Sequence, residues 1–228
     1  MKFQKYMAVG ILGLTMALGF SGCQSENQKN QDAYRKIGIN SMAEGDYDKA
    51  VKSFQKALDT SLGKIGAEEI DICYYKAAAQ FAKKDYDGAI ETYTSLIDYD
   101  KENANAYYLR GSVYLDTDKK DKAFKDYKNA VKYAGREYEI YEGIYENLTN
   151  KGETEEAKNY LKKALDIKPK DGADYAEQGH VYYLLEDYTQ AKSSLDRAID
   201  KDDKTALLYL AEVYNATDQQ EQGQALLE

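Results

Sequence analysis

Six alanines, Ala50, Ala89, Ala123, Ala157, Ala191 and Ala225, stand 39, 34, 34, 34 and 34 residues apart. A frame that returns this regularly restricts the chain to an array of small, similarly built repeats, each burying its apolar face against its neighbours. Within the stretch from Ala104 to Glu137, apolar residues fall at Tyr107, Tyr114 and Leu115, then at Ala123, Tyr127 and Ala130. Those intervals of three, four and seven are helical, so each repeat reads as two amphipathic helices. The polar run Asp116-Thr117-Asp118-Lys119-Lys120-Asp121 separates them. It corresponds to Glu44-Gly45-Asp46 in the first repeat and to Asn150-Lys151-Gly152-Glu153 in the fourth, where glycine supplies the helix stop.

Start signals recur as well. Asn103, Asp171 and Thr205 occupy one place in the period and are expected to cap the helix that follows. Small residues mark where two helices must approach closely: Gly38, Ala77, Gly111 and Gly179 at the eighth position, alanine at the twentieth. Tyr145 takes the eighth position of the fourth repeat, with Gly143 inside the same helix, so that repeat is expected to be the least regular. Extra residues around Thr60-Ser61-Leu62-Gly63-Lys64-Ile65-Gly66 predict a loop between the first and second repeats.

These residues resemble the tetratricopeptide repeat family. Its fourth position is aromatic, and here it holds Tyr34, Cys73, Tyr107, Tyr141, Tyr175 and Tyr209. Its twenty-fourth position holds Phe54, Tyr93, Tyr127, Leu161 and Leu195, while the family's closing proline occurs once, as Pro169. The resemblance implies an all-α, right-handed superhelical solenoid of helix-turn-helix units over residues 32–228. The repeats fall at about 31–64, 70–103, 104–137, 138–171, 172–205 and, in part, 206–228.

The first 22 residues carry Lys2 and Lys5, then an apolar run from Met7 to Phe20, then Ser21-Gly22. The run is short for a membrane-spanning helix, which needs about 20 residues, and suits a secretory signal. Ser21-Gly22-Cys23 resembles a bacterial lipobox, with Phe20 in place of the usual leucine. That likeness implies a signal peptide over 1–22, cleavage before Cys23, and acyl chains on the cysteine that anchor the chain to the exported side of a cell membrane. Gln24 after the cysteine implies the outer membrane where the host has one. Gln24 to Gln31 contains no apolar residue, so residues 23–31 are expected to form the lipidated cysteine and a flexible tether.

The formal net charge is −9, and loss of Lys2 and Lys5 with the leader makes the remainder more acidic. Such a surface repels phosphate backbones, which argues against nucleic-acid binding. A single histidine, His180, excludes histidine-rich metal sites and most nucleophilic triads. Cys73 is left without a disulfide partner once Cys23 is lipidated. After Asp116-Thr117-Asp118 a calcium loop would need an acid at Lys120 and a glycine at Asp121, so no metal and no cofactor beyond the lipid is expected.

In the resembled family the groove is lined from the first helix of each repeat. The matching residues here are Tyr74, Phe81, Tyr108, Leu115, Glu142, Glu146, His180, Tyr183 and Tyr214. The expectation is a non-catalytic adaptor or scaffold holding a protein or peptide partner on an apolar, aromatic groove with an acidic middle, with a basic residue of the partner near Glu142 and Glu146. Two alternatives stay open. One is a homo-oligomer joined through the uncovered Ala225-Leu226-Leu227 face. The other is a cell-wall-acting enzyme with Glu142 and Glu146 as acid and base, although nothing around them in the sequence would desolvate one selectively.

Overall fold

The structure is a computed structural model that describes residues 26–61, 63 and 65–227. The leader and Cys23 lie outside the described residues. The described residues fall into two compact units, one ending at Tyr133 and the other beginning at Ala134. The first contains α1 (Glu26–Ala43), α2 (Tyr47–Thr60), α3 (Ala67–Ala82), α4 (Tyr86–Tyr99), α5 (Ala104–Asp116) and α6 (Lys120–Tyr133). The second contains α7 (Tyr138–Asn150), α8 (Thr154–Ala164), α9 (Gly172–Leu184), α10 (Tyr188–Ile199), α11 (Thr205–Ala216) and α12 (Gln220–Ala225). No strand occurs among the described residues, and no helix there is long and apolar enough to cross a membrane.

Each repeat is a helical hairpin closed in the same way. Gly45, Lys84, Asp118, Gly152, Glu186 and Asp218 all adopt positive φ, between 57° and 80°, at the turn between the paired helices. In the first hairpin the Gly45 amide donates to the Met42 carbonyl at 3.1 Å and the Asp46 amide to the Ser41 carbonyl at 2.8 Å. This reversal satisfies carbonyls the helix end would otherwise leave unpaired. Asp46, Asp85 and Asp187 then cap the second helix, each accepting from the amide three residues on.

The small eighth-position residues act as expected. A Cβ on Gly38 would lie 2.5 Å from the Phe54 ring, and one on Gly179 would lie 2.6 Å from Leu195. The aromatic or leucine at position twenty-four of the second helix thus presses directly on the first helix. Ala50, Ala89, Ala123, Ala157 and Ala191 are fully buried. Ala225 is exposed, because α12 is only six residues long and places Gly223 against α11 instead.

Three expectations need correction. The tether does not extend to Gln31: α1 starts at Glu26, and Gln31 is buried, donating to Glu69 Oε1 at 2.7 Å. Residues 26–30 are exposed, and Gln31 is the one of this polar segment that is buried and tied to α3. Thr205 is the first residue of α11 rather than its cap; the Asp203 carboxylate accepts from the Thr205 and Ala206 amides at 2.8 and 3.2 Å. The terminal apolar residues are partly covered, since Leu226 packs against the cluster that holds Leu210 and Val213, while Leu227 remains exposed.

Candidate functional site

In the first unit, the residues expected to line a groove are largely committed to packing. Tyr108 is 7% exposed with its ring 6.4 Å from that of Tyr127, and Leu115 is 2% exposed. Tyr108 is thus held against α6, and both side chains are buried rather than open to solvent. Tyr74 is half-buried and donates its hydroxyl hydrogen to Asn103 Oδ1 at 2.6 Å, the same oxygen that accepts from the Ala106 amide to cap α5. Phe81 is half-buried, edge-on to Tyr86 at 5.6 Å.

The second unit differs. Glu142 on α7 meets His180 on α9, with Oε1 2.9 Å from Nδ1, and the two side chains are 14% and 18% exposed. Tyr209 on α11 stacks on the imidazole, with ring centres 4.3 Å apart and planes 11° from parallel. Tyr183, one turn after His180, lies nearly parallel to it at 6.1 Å. Glu177 completes the cluster: one donor atom each from Glu142, Glu177 and His180 lies within 4.8 Å of the others. Consecutive first helices place these groups together, because Glu177 and His180 are three apart on one face of α9.

The site carries an excess of negative charge. Burial, then the Glu142 and Glu139 charges, push the Glu177 carboxyl up to about 7, with His180 opposing. Burial presses His180 toward its neutral form, but the Glu142 hydrogen bond and the Glu142, Glu177 and Glu212 charges outweigh it and raise its pKa. Tyr209 is also raised, by burial first and then by Glu177 and Glu142. A buried carboxylate facing a second carboxylate favours a proton or another cation between them.

Two expected groove residues lie outside this cluster. Glu146 is half-buried on α7, one turn beyond Glu142, and is not among the converging donors. Tyr214 lines a different recess, of about 760 Å³, with Tyr188, Lys192 and Asp196, and Lys192 Nζ lies 5.6 Å from its ring centre. Conversely, Glu177 and Tyr209 were not among the expected site residues. Glu177 sits one position after the assumed groove position five, and Tyr209 at position four is a packing position in the resembled family. The Glu177-x-x-His180 spacing was the available signal.

Helical hairpins with a common turn, a common small-residue contact and a 34-residue period define a helical repeat protein. The sequence model described as Tetratricopeptide repeat matches residues 32–61, 104–136, 146–171 and 175–204, and one described as TPR repeat matches 77–118. The chain belongs to the tetratricopeptide repeat family. The match resumes only at residue 146, past the first eight residues of α7, the first helix of the fourth repeat.

Among curated proteins, the chain is 21% identical over 217 residues to anaphase-promoting complex subunit 3 of Schizosaccharomyces pombe, covering 82% of this chain and 33% of that one. It is 27% identical over 154 residues to human tetratricopeptide repeat protein 13, covering 62% and 17%. The chain therefore spans a third or less of these relatives. A tetratricopeptide repeat protein from Parabacteroides merdae superposes with a TM-score of 0.50 at 14% identity, covering 98% of this chain and 82% of that one. Pseudomonas aeruginosa pilF gives 0.49 at 16% identity, covering 89% and 90%.

Proposed function

We propose that this chain is a lipid-anchored, non-catalytic adaptor or assembly scaffold of a bacterial cell envelope, tethered through Cys23 on the exported side of a membrane and holding a protein or peptide partner. Tetratricopeptide repeats generally serve as protein-interaction scaffolds, and the signal-like leader with its lipobox-like end supports the address. The observation that carries the binding reading is the half-buried Glu142–Glu177–His180 cluster walled by Tyr183 and Tyr209. Packing alone does not need it, since desolvating carboxylates costs free energy that apolar residues would not incur. A partner's lysine or arginine placed there would pair with the carboxylates while its stem lies on the tyrosine faces.

The test is retention of partners by the full-length protein from host envelopes. Glu142→Gln and Glu177→Gln each weaken capture at least about tenfold, corresponding to about 1.4 kcal/mol, and more added salt weakens wild-type capture. Undiminished capture by both variants would place the partner elsewhere.

Self-association has its own support in Leu208 and Leu227, which are 57% and 56% exposed. Light scattering of the detergent-solubilised chain and of Leu208→Glu separates the two readings. A dimer that dissociates on this substitution favours the scaffold built from copies of itself; a monomer in both removes it.

A further inference from the structure

We propose that Glu142, Glu177 and His180 form a three-ligand site for a divalent first-row metal ion, with Zn²⁺ as the best fit. The inference goes beyond the partner reading and does not depend on it. The three donors come from two rigid helices, Glu177 and His180 from α9 and Glu142 from α7, and converge within 4.8 Å of one another. Oxygen and nitrogen ligands about 2.0–2.2 Å from a common ion stand roughly 3–4 Å apart, so side-chain rotation of an ångström or so closes the set without moving the backbone. A Glu-x-x-His pair on one helix, completed by a carboxylate from another, is an arrangement that helical proteins use to hold metals.

The donor chemistry narrows the ion. Two carboxylates and one imidazole suit Zn²⁺, Co²⁺ or Mn²⁺, whereas Mg²⁺ and Ca²⁺ prefer all-oxygen sets. Nδ1 is the nitrogen that faces the Glu142 carboxylate, at 2.9 Å; it donates a proton there in the metal-free site, and loss of that proton frees its lone pair to take the ion from the same position. The Tyr209 ring, stacked at 4.3 Å, and the Tyr183 ring on the same histidine fix the imidazole plane, a supporting role that neighbouring side chains play around metal ligands. The charged groups acting most strongly on Glu177 and His180 are Glu139, Glu142, Asp203, Glu212 and one another, with no lysine or arginine among them. A dication would neutralise both carboxylate ligands at once. Three protein ligands leave a position open to water or to a donor from outside, and an ion there would compete with a partner's basic side chain for the same carboxylates.

Metal binding is read with the metal alone, so it stands or falls separately from partner capture. Full-length protein stripped with a chelator is titrated with Zn²⁺ by calorimetry and with Co²⁺ by visible absorption. The expected result is one equivalent bound, with cobalt bands of a low-coordinate nitrogen–oxygen site, and no competition from equal Mg²⁺. Glu177→Gln and His180→Gln each weaken binding at least about tenfold, while Glu146→Gln and Cys73→Ser leave it unchanged; helicity measured alongside shows that every variant is folded. Absence of saturable binding, or equal binding in Glu177→Gln and His180→Gln, would overturn the proposal and leave adventitious ions on an acidic surface.

Discussion

Lys84 and Glu186 hold left-handed backbone, at φ 66° and 65°, where the first and fourth repeats place Gly45 and Gly152. A side chain with a Cβ costs roughly 1–2 kcal/mol in that conformation, partly offset by the greater freedom glycine gives the unfolded chain. Glu186→Gly is therefore expected to stabilise the protein by about 0.5–1 kcal/mol, seen as a higher denaturation midpoint. A lower midpoint would mean that the Glu186 side chain holds the turn. Turns with glycine were readable directly. Those at Lys84, Asp118, Glu186 and Asp218 were readable only through the period, since none of these residues by itself announces a helix stop.

Glu68 gives a residue-scale test of pH dependence. Burial and its hydrogen bond and charge contact with Asp32 push its carboxyl from 4.5 up to about 7. A carboxyl with its pKa raised in the fold is stable there when protonated, and that contribution is lost as the pH rises from about 4.5 through about 7. Glu68→Gln, which cannot ionise and can still donate to Asp32, should match the wild type near pH 4 and exceed it in thermal midpoint near pH 8. Equal midpoints at both values would show that the carboxyl titrates normally.

At the scale of the helix pair, the third repeat is fastened by more than apolar contact. Arg110 on α5 reaches Asp126 on α6 through two hydrogen bonds of 2.7 and 2.9 Å and also donates to Thr94 on α4 at 2.9 Å, while Asp126 is buried. Removing one partner strands the other charge away from water. Asp126→Ala is expected to lower stability by about 3–5 kcal/mol in chemical denaturation; a loss under about 1 kcal/mol would mark the pair as no stronger than a surface bridge. The sequence indicated neither residue, because an arginine and an aspartate sixteen apart meet only once the hairpin has closed.

The same reason explains what the groove expectation missed. Tyr108 and Leu115 occupy groove positions by their place in the repeat, yet their burial depends on the size of the residues opposite, such as Tyr127. His180 and Glu142 were legible as groove residues. Their contact, and the recruitment of Glu177, required the offset between α7 and α9.

On the whole-molecule scale, the 34-residue period accounts for the helices, their turns and their close contacts, and it is legible in the sequence itself. The proposed anchor at Cys23 has its own test. Cys23→Ser should abolish incorporation of labelled fatty acid and release the chain from the membrane fraction; continued labelling would move the lipid to another residue. The proposed binding of partners falls on the acidic, aromatic cluster of Glu142, Glu177 and His180 in the second unit. Its most direct measurement is photo-crosslinking in the native cell, with a photoreactive amino acid at Tyr183 and a control at the exposed Lys128 of α6. A discrete partner captured from Tyr183 and absent from Lys128 is the predicted result, and equal or absent capture at the two positions would contradict it.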